Sequence, residues 1–300
     1  MKKTISRVAA TTALAYAQDV TGINALLHRL QCLALSPFIR AVNYHGVPAQ
    51  HAARFERQLR WYAEHFVAVG VDDLVQLQRG VWPHPRPGLL LSFDDGQRSV
   101  YEHALPAIER LGLRAWVLVA PGFVDAPADS QYSYAQSHSI TCDRPAAGTD
   151  TRVAMSWDEI RDASRRGHVI GSHTYTHRRL PETTPDEVLH HELVDSRAAL
   201  EAQLGAGVPI FCWVGGEEHA YSPRAAVAIR AAGYRIGLMT NNQVFRPGND
   251  LLQVQRSNVE AAWPLPVVRF LLSGFMDLYY RPKRLRIARA LAAAKVGSTT

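Results

Sequence analysis

Short, fully apolar runs alternate along the chain with longer stretches in which apolar residues recur every three or four positions. Ile39 to Tyr44, Leu89 to Phe93, Arg114 to Val119, Val169 to Gly171, Ile210 to Val214 and Arg235 to Met239 read as strands, with weaker candidates at Phe66 to Val69 and Leu251 to Val254. Helical periodicity falls between them, at Phe55 to Glu64, Val100 to Leu111, Trp157 to Arg166, Pro185 to Leu204 and Pro223 to Ala232. Gly112, Gly167 and Gly233 stand just past three of these, where a residue able to take positive φ closes a helix. Strand and helix in alternation predict parallel βα units, hence an α/β fold.

Three stretches break the rhythm. Residues 121–152 are rich in Ala, Ser, Asp, Pro, Gly and Tyr without clear period, which predicts an insertion loop whose Tyr132 and Tyr134 are candidates to stack on a sugar ring. At the N-terminus, Lys2, Lys3 and Arg7 precede a mildly apolar stretch ending in Ala15-Tyr16-Ala17. That pattern is like a cleaved signal peptide, which would make the protein secreted or periplasmic. However, Thr11 and Thr12 interrupt it, and the apolar spacing runs on through Ile23, Leu26, Leu27, Leu30, Leu33 and Leu35. Residues 1–37 are therefore expected to be an amphipathic helical segment. The third stretch, residues 261–300, mixes Phe270, Leu271, Leu272, Phe275, Leu278 and Tyr279 with basic residues. It reads as a basic helical tail packing on the body, and peripheral contact with an anionic lipid surface is its second reading.

Composition changes this picture little. At 300 residues and 47% hydrophobic the chain can bury a sizeable core as one domain. The net charge of +6 is dispersed, apart from Arg281-Pro282-Lys283-Arg284-Leu285-Arg286, and no nucleic-acid motif accompanies it, so no nucleic-acid partner is expected. Cys32, Cys142 and Cys212 are odd in number and far apart, which argues against a disulfide scaffold or a cysteine zinc site and suits a cytoplasmic protein. No apolar run is long enough to span a membrane.

The chemistry sits where two apolar strands end. Leu89-Leu90-Leu91-Ser92-Phe93 stops at Asp94-Asp95-Gly96. Two adjacent carboxylates at the C-terminal end of a buried strand repel each other unless a cation compensates or one keeps its proton, although Asp-Gly is also common in plain turns. Val169-Ile170-Gly171-Ser172 runs into His173-Thr174-Tyr175-Thr176-His177. In a helical turn, imidazoles four residues apart project to one side and can share a metal. One carboxylate and two histidines leave coordination positions open, as in a catalytic rather than a structural zinc site. The spare carboxylate can then act as a base toward water.

These residues make the chain similar to the polysaccharide deacetylase family, carbohydrate esterase family four with its NodB-homology domain. Phe93-Asp94-Asp95-Gly96 resembles the first motif and Ser172 to His177 the H-x-x-x-H motif, with Ser156-Trp157-Asp158-Glu159-Ile160 and Gly167-His168 as its lead-in. The resemblance implies a distorted (β/α) barrel of about seven strands over residues 38–260. It also implies one divalent metal, commonly Zn2+, and hydrolysis of an N-acetyl amide on a saccharide. Asp94 matches the catalytic base; Asp95, His173 and His177 match the metal ligands; Trp157 is a candidate substrate contact.

Two departures stand out. Val214-Gly215-Gly216 replaces the Pro-Tyr-Gly-like third motif, so Gly215 could still offer a backbone donor to the oxyanion while the tyrosine wall is missing, and Glu217 becomes a candidate lining residue. No histidine follows His219, so the Leu-x-His motif is absent. His45, just past the first strand, resembles the acid of circularly permuted members. Competing readings are a non-catalytic carbohydrate-binding barrel, a cyclic-amide hydrolase of the same fold, and a two-histidine-one-carboxylate iron oxygenase. The exact saccharide and the oligomeric state are not legible.

Overall fold

The computed structural model describes residues 12–145 and 151–297. The strands are β1 (Ile39–Tyr44), β2 (Val67–Ala68), β3 (Gly88–Phe93), β4 (Ala115–Val119), β5 (Val169–Ser172), β6 (Ile210–Cys212), β7 (Ile236–Met239) and β8 (Val254–Asn258). All pairings are parallel, in the order β1-β8-β7-β6-β5-β4-β3, and β1 pairs β3 from Ile39↔Gly88 to Tyr44↔Phe93. Seven strands thus close into a distorted (β/α) barrel, while the two-residue β2 lies beside the start of β3.

Every residue of β1, β3, β4 and β7 is buried, because helices cover the outside and side chains fill the inside. Successive residues point to opposite faces. Ile39, Ala41, Leu90, Trp116, Leu118 and Leu238 belong to one cluster, and Val42, Tyr44, Leu89, Leu91 and Val117 join the helix-facing cluster with Phe55, Leu59 and Tyr62. Helix Trp157–Arg165 starts with a reciprocal cap: Glu159 N–H donates to Ser156 Oγ (3.2 Å), and Ser156 N–H donates to the Glu159 carboxylate (2.7 Å). Gly112, Gly167 and Gly233 have φ of 65°, 90° and 88°.

Several expectations are corrected. The last strand is Val254–Asn258 rather than Leu251 to Val254, and Leu251–Gln253 forms a 3-10 turn leading into it. The segment 121–152 is not a loop throughout, since it contains helices Pro121–Asp125 and Gln131–Ser137, with Phe123, Ala135 and Ile140 in a cluster of their own. Helix Val71–Gln78 carries no sequence expectation. At the N-terminus, residues 12–20 are helical and helix Ile23–Leu35 follows, but the latter is turned inside out: Asn24, His28 and Gln31 are buried while Leu26, Leu30 and Leu33 are exposed. Lys2, Lys3 and Arg7 lie outside the described residues, and Ala15-Tyr16-Ala17 falls within the first helix, where Ala15 is buried. No helix among the described residues is long and apolar enough to cross a membrane.

Candidate active site

The C-terminal ends of β1, β3, β5 and β6 surround an open cavity of about 870 Å3 lined by His45, Asp94, Asp95, His173, His177 and Gly215. Both signals read from the sequence therefore converge at one place. Asp94 and Asp95 are buried in adjacent but opposite settings.

Asp94 is gripped by donors on both oxygens. The guanidinium of Arg256, on β8, grips it through Nη1–Oδ1 at 2.6 Å and Nη2–Oδ2 at 2.9 Å, and the amide of Asn43 lies 3.4 Å from Oδ2. Arg256 is itself fully buried and also donates to Ser92 Oγ at 2.9 Å. Burial alone would raise the pKa of Asp94, but the Arg256 charge outweighs it, helped by His173 and His45, and holds the carboxyl well below the usual carboxylate range. Asp94 is thus an anion across the whole physiological range.

Asp95 is held from one side only. Gln97 Nε2 donates to Oδ2 at 3.0 Å and to Thr141 O at 2.9 Å, while Asp95 Oδ1 is buried without a hydrogen-bond partner. That bare oxygen faces His177 Nε2 at 3.3 Å and His173 Nε2 at 3.7 Å. Each imidazole is oriented through its other nitrogen: His173 Nδ1 donates to Cys212 O (3.0 Å), and His177 Nδ1 donates to His138 O (2.7 Å). A nitrogen that donates to a carbonyl must carry the proton, so in the neutral ring Nε2 presents a lone pair. Burial pushes the His173 pKa down to about 4, against the pull of Asp94, so that ring is neutral near pH 7. The bare Asp95 oxygen and the Nε2 atoms of both imidazoles therefore converge on one point, where a shared cation would satisfy all three. The donor set of one carboxylate and two imidazoles fits a divalent transition metal such as zinc.

A second group, Asp94, His173 and Cys212, also lies close enough to share an ion. It is the poorer candidate. Both oxygens of Asp94 already accept from Arg256, and burial raises the Cys212 pKa well above that of an ordinary thiol, so the sulfur keeps its proton.

The local backbone explains how the ligands are presented. Asp95 (φ 76°), Thr174 (φ 62°) and His177 (φ 58°) all take the left-handed conformation that residues with a Cβ adopt at a cost. The H-x-x-x-H segment is accordingly not the helical turn expected from its spacing but an irregular loop. It is braced by the buried Glu192, whose carboxylate accepts from Tyr175 N–H and Thr176 N–H, each at 2.8 Å, and from the Thr176 hydroxyl.

The remaining sequence candidates divide. Gly215 has φ 85°, a conformation that favours glycine, and lines the cavity beside the Glu217 and Arg179 side chains. Glu217 also lines the cavity but is paired with Arg179 (3.1 Å), whose hydrogen bond lowers its pKa. Trp157, Tyr132 and Tyr134 are not brought to the cavity wall. The Trp157 indole donates to Asp125 (2.8 Å), Tyr132 carries the guanidinium of Arg144 at 5.5 Å, and Tyr134 stacks between Phe123 and His138. Tyr134 thereby supports the carbonyl that orients His177.

Sequence reasoning missed Arg256, Gln97, Asn43 and Glu192. The one available signal for Arg256 was a charged residue inside the apolar-polar alternation after Val254, which is weak.

Comparisons with known proteins agree with this geometry. The family model for polysaccharide deacetylases matches residues 83–237. A curated relative, the poly-beta-1,6-N-acetyl-D-glucosamine N-deacetylase of Escherichia coli (strain K12), is 24% identical over 146 residues, covering 45% of this chain and 20% of that protein. The chain thus spans about a fifth of the length of the curated relatives it matches. Among solved structures, the Streptococcus pyogenes deacetylase PplD in complex with acetate superposes with a TM-score of 0.62 at 17% identity, over 78% of this chain and 98% of that one. IcaB from Ammonifex degensii gives 0.61 at 22% identity, over 80% and 98%. At these identities the structures speak to the fold; the family model, which spans more than half the chain and includes the paired acids and both histidines, carries the assignment. The chain belongs to the polysaccharide deacetylase family.

Proposed function

We propose that the protein removes acetyl groups from N-acetylhexosamine units of a saccharide by hydrolysis, using one divalent metal ion, most suitably Zn2+, held by Asp95, His173 and His177. The observation that carries this reading is the buried, unpartnered Asp95 Oδ1 facing two imidazole lone pairs at 3.3 and 3.7 Å. A divalent ion there would supply a Lewis acid that polarises the acetyl carbonyl and eases deprotonation of water near neutral pH.

The chain's own groups divide the remaining work. Asp94 accepts the proton of the attacking water, and Arg256 fixes the orientation of that carboxylate and keeps it ionised. His45, at the end of β1 on the same cavity wall, gives a proton to the leaving amine. The backbone N–H at Gly215 is the proposed donor to the developing oxyanion. Glu217 in its ion pair with Arg179 shapes the wall where the usual tyrosine is missing. The retained acid-plus-ligand set disfavours a pure binding module, and the base beside the ligands disfavours an oxygenase.

The test is acetate release from a panel of N-acetylated oligosaccharides, including β-1,6-linked N-acetylglucosamine because of the curated relative, before and after chelation and re-addition of Zn2+. The reading requires release that chelation stops and zinc restores. Release from no substrate by zinc-loaded protein, or release indifferent to chelation, overturns it.

A further inference from the structure

Helix Ile23–Leu35 has the spacing of a surface helix but the opposite polarity. Its inward face carries Asn24, His28 and Gln31 beside Cys32 and Leu35, which pack on the core. His28 is buried among Trp61, His65 and Phe66, with ring centroids 5.3–5.6 Å apart. The Asn24 amide donates to Ala15 O at 3.3 Å. With its amide turned to match both neighbours, Gln31 donates to Leu272 O (3.2 Å) and accepts from Arg40 (2.7 Å). Arg40, fully buried, grips Asp277 through two bonds of 2.8 and 2.9 Å. This Gln31–Arg40–Asp277 chain ties the N-terminal helix to helix Phe275–Tyr279, so the two lie on one flank of the barrel.

What that flank shows to solvent is apolar. Leu26 is 56% exposed, Leu33 83%, Leu278 70% and Phe275 55%, and Ile23, Leu30, Val20, Tyr16 and Tyr279 are exposed with them. Single exposed leucines mean nothing, but two neighbouring helices that both turn apolar faces outward need a cover. The charge around them says which. Residues 12–35 and 264–297 contain two acidic side chains, Asp19 and Asp277, and each is taken up by an arginine, Arg269 and Arg40. Arg29, within the N-terminal helix, and Arg281, two residues past Tyr279, are exposed. A second copy of this chain would bring cationic faces together, which disfavours self-association. An anionic bilayer complements both features: leucine, phenylalanine and tyrosine enter the headgroup boundary while arginines meet phosphates.

We propose that the flank formed by helices Ile23–Leu35 and Phe275–Tyr279, with the arginines of the following helix, docks the protein peripherally on a membrane rich in anionic lipid. It lies in the plane of the surface, since no described helix can span the membrane. The proposal is independent of the metal and of the reaction.

Flotation of the full chain with vesicles of phosphatidylcholine alone, or with added phosphatidylglycerol, tests it. Wild type is expected to float with the anionic vesicles and not with neutral ones. Leu26→Ser together with Leu30→Ser changes side chains that are already exposed, so circular dichroism and zinc binding should be unchanged while vesicle affinity falls roughly tenfold or more. Arg281→Glu should weaken it several-fold, and added salt should do the same. No flotation of wild type, or flotation that the leucine double variant leaves intact, overturns the proposal. So does a wild-type dimer that L26S/L30S turns into monomer, because the flank would then be a self-association surface.

Discussion

Asp94 and Asp95 are neighbours in sequence, yet the two sides of the barrel mouth treat them oppositely. On the β8 and β1 side, Arg256 and Asn43 donate to both oxygens of Asp94 and fix its charge. On the β5 side, Gln97 takes one oxygen of Asp95 and the other is left bare toward His173 and His177. Chemistry is assigned by what surrounds a residue. A carboxylate locked to a guanidinium is a poor candidate for a metal ligand, whereas one with an orphaned oxygen facing two imidazoles offers a cation a place. The peptide that joins them turns through a positive φ at Asp95, which sends the two side chains to different neighbours.

The comparison can be broken from either side. The largest effect is expected on the ligand side: His173→Ala should lower acetate release to background and abolish stoichiometric zinc binding, since two remaining donors do not make a site. On the other side, Asp94→Asn should lower turnover by roughly 10^2 to 10^4, the range for a general base, with the ion retained. Replacing His45 by Ala should give a slow enzyme with full metal content; undiminished turnover would move the proton donor elsewhere. Gln97→Ala should weaken zinc affinity about 10- to 100-fold and leave turnover near wild type once the metal is saturating, the signature of an orienting rather than a reacting residue.

Arg256→Met sharpens the pH side of the account. Asp94 has a folded-state pKa below its unfolded value, so its pairing stabilises the fold above the ordinary carboxylate range and is lost as pH falls from about 4 toward the depressed value. Without the guanidinium the largest influence holding the pKa down is gone, and burial pushes it up. The variant should lose about 3–5 kcal/mol at neutral pH, measured by urea unfolding, and the acid limb of its pH–rate profile should move upward. An unchanged acid limb would show that Arg256 is structural alone.

Much of the barrel was legible because its strands are buried on both faces and therefore read as plain apolar runs: β1 is Ile39–Tyr44, as its sequence suggests. The last strand failed for the opposite reason. Gln255, Arg256, Ser257 and Asn258 are polar since this strand lines the mouth and serves Asp94, so the apolar pattern stops just before the strand begins. The motif residues were legible as types and order. Their supports were not: Glu192 and Gln97 are ordinary residues in sequence, and their roles come from burial and from contacts across distant segments. The aromatic character of Tyr132 and Tyr134 suggests sugar stacking, but they pack in a cluster of their own segment, and Trp157 packs on the main core and donates to Asp125. The N-terminal helix was legible by period but not in its packing, because a periodic pattern fixes a face without saying whether protein or solvent meets it.

Metal content settles the division of labour between the paired acids. Zinc should be measured by elemental analysis of purified wild type, Asp94→Asn and Asp95→Asn, each checked for folding. One ion per chain in wild type and Asp94→Asn, with none in Asp95→Asn, is the expected result. An ion kept by Asp95→Asn and lost by Asp94→Asn would contradict the assignment.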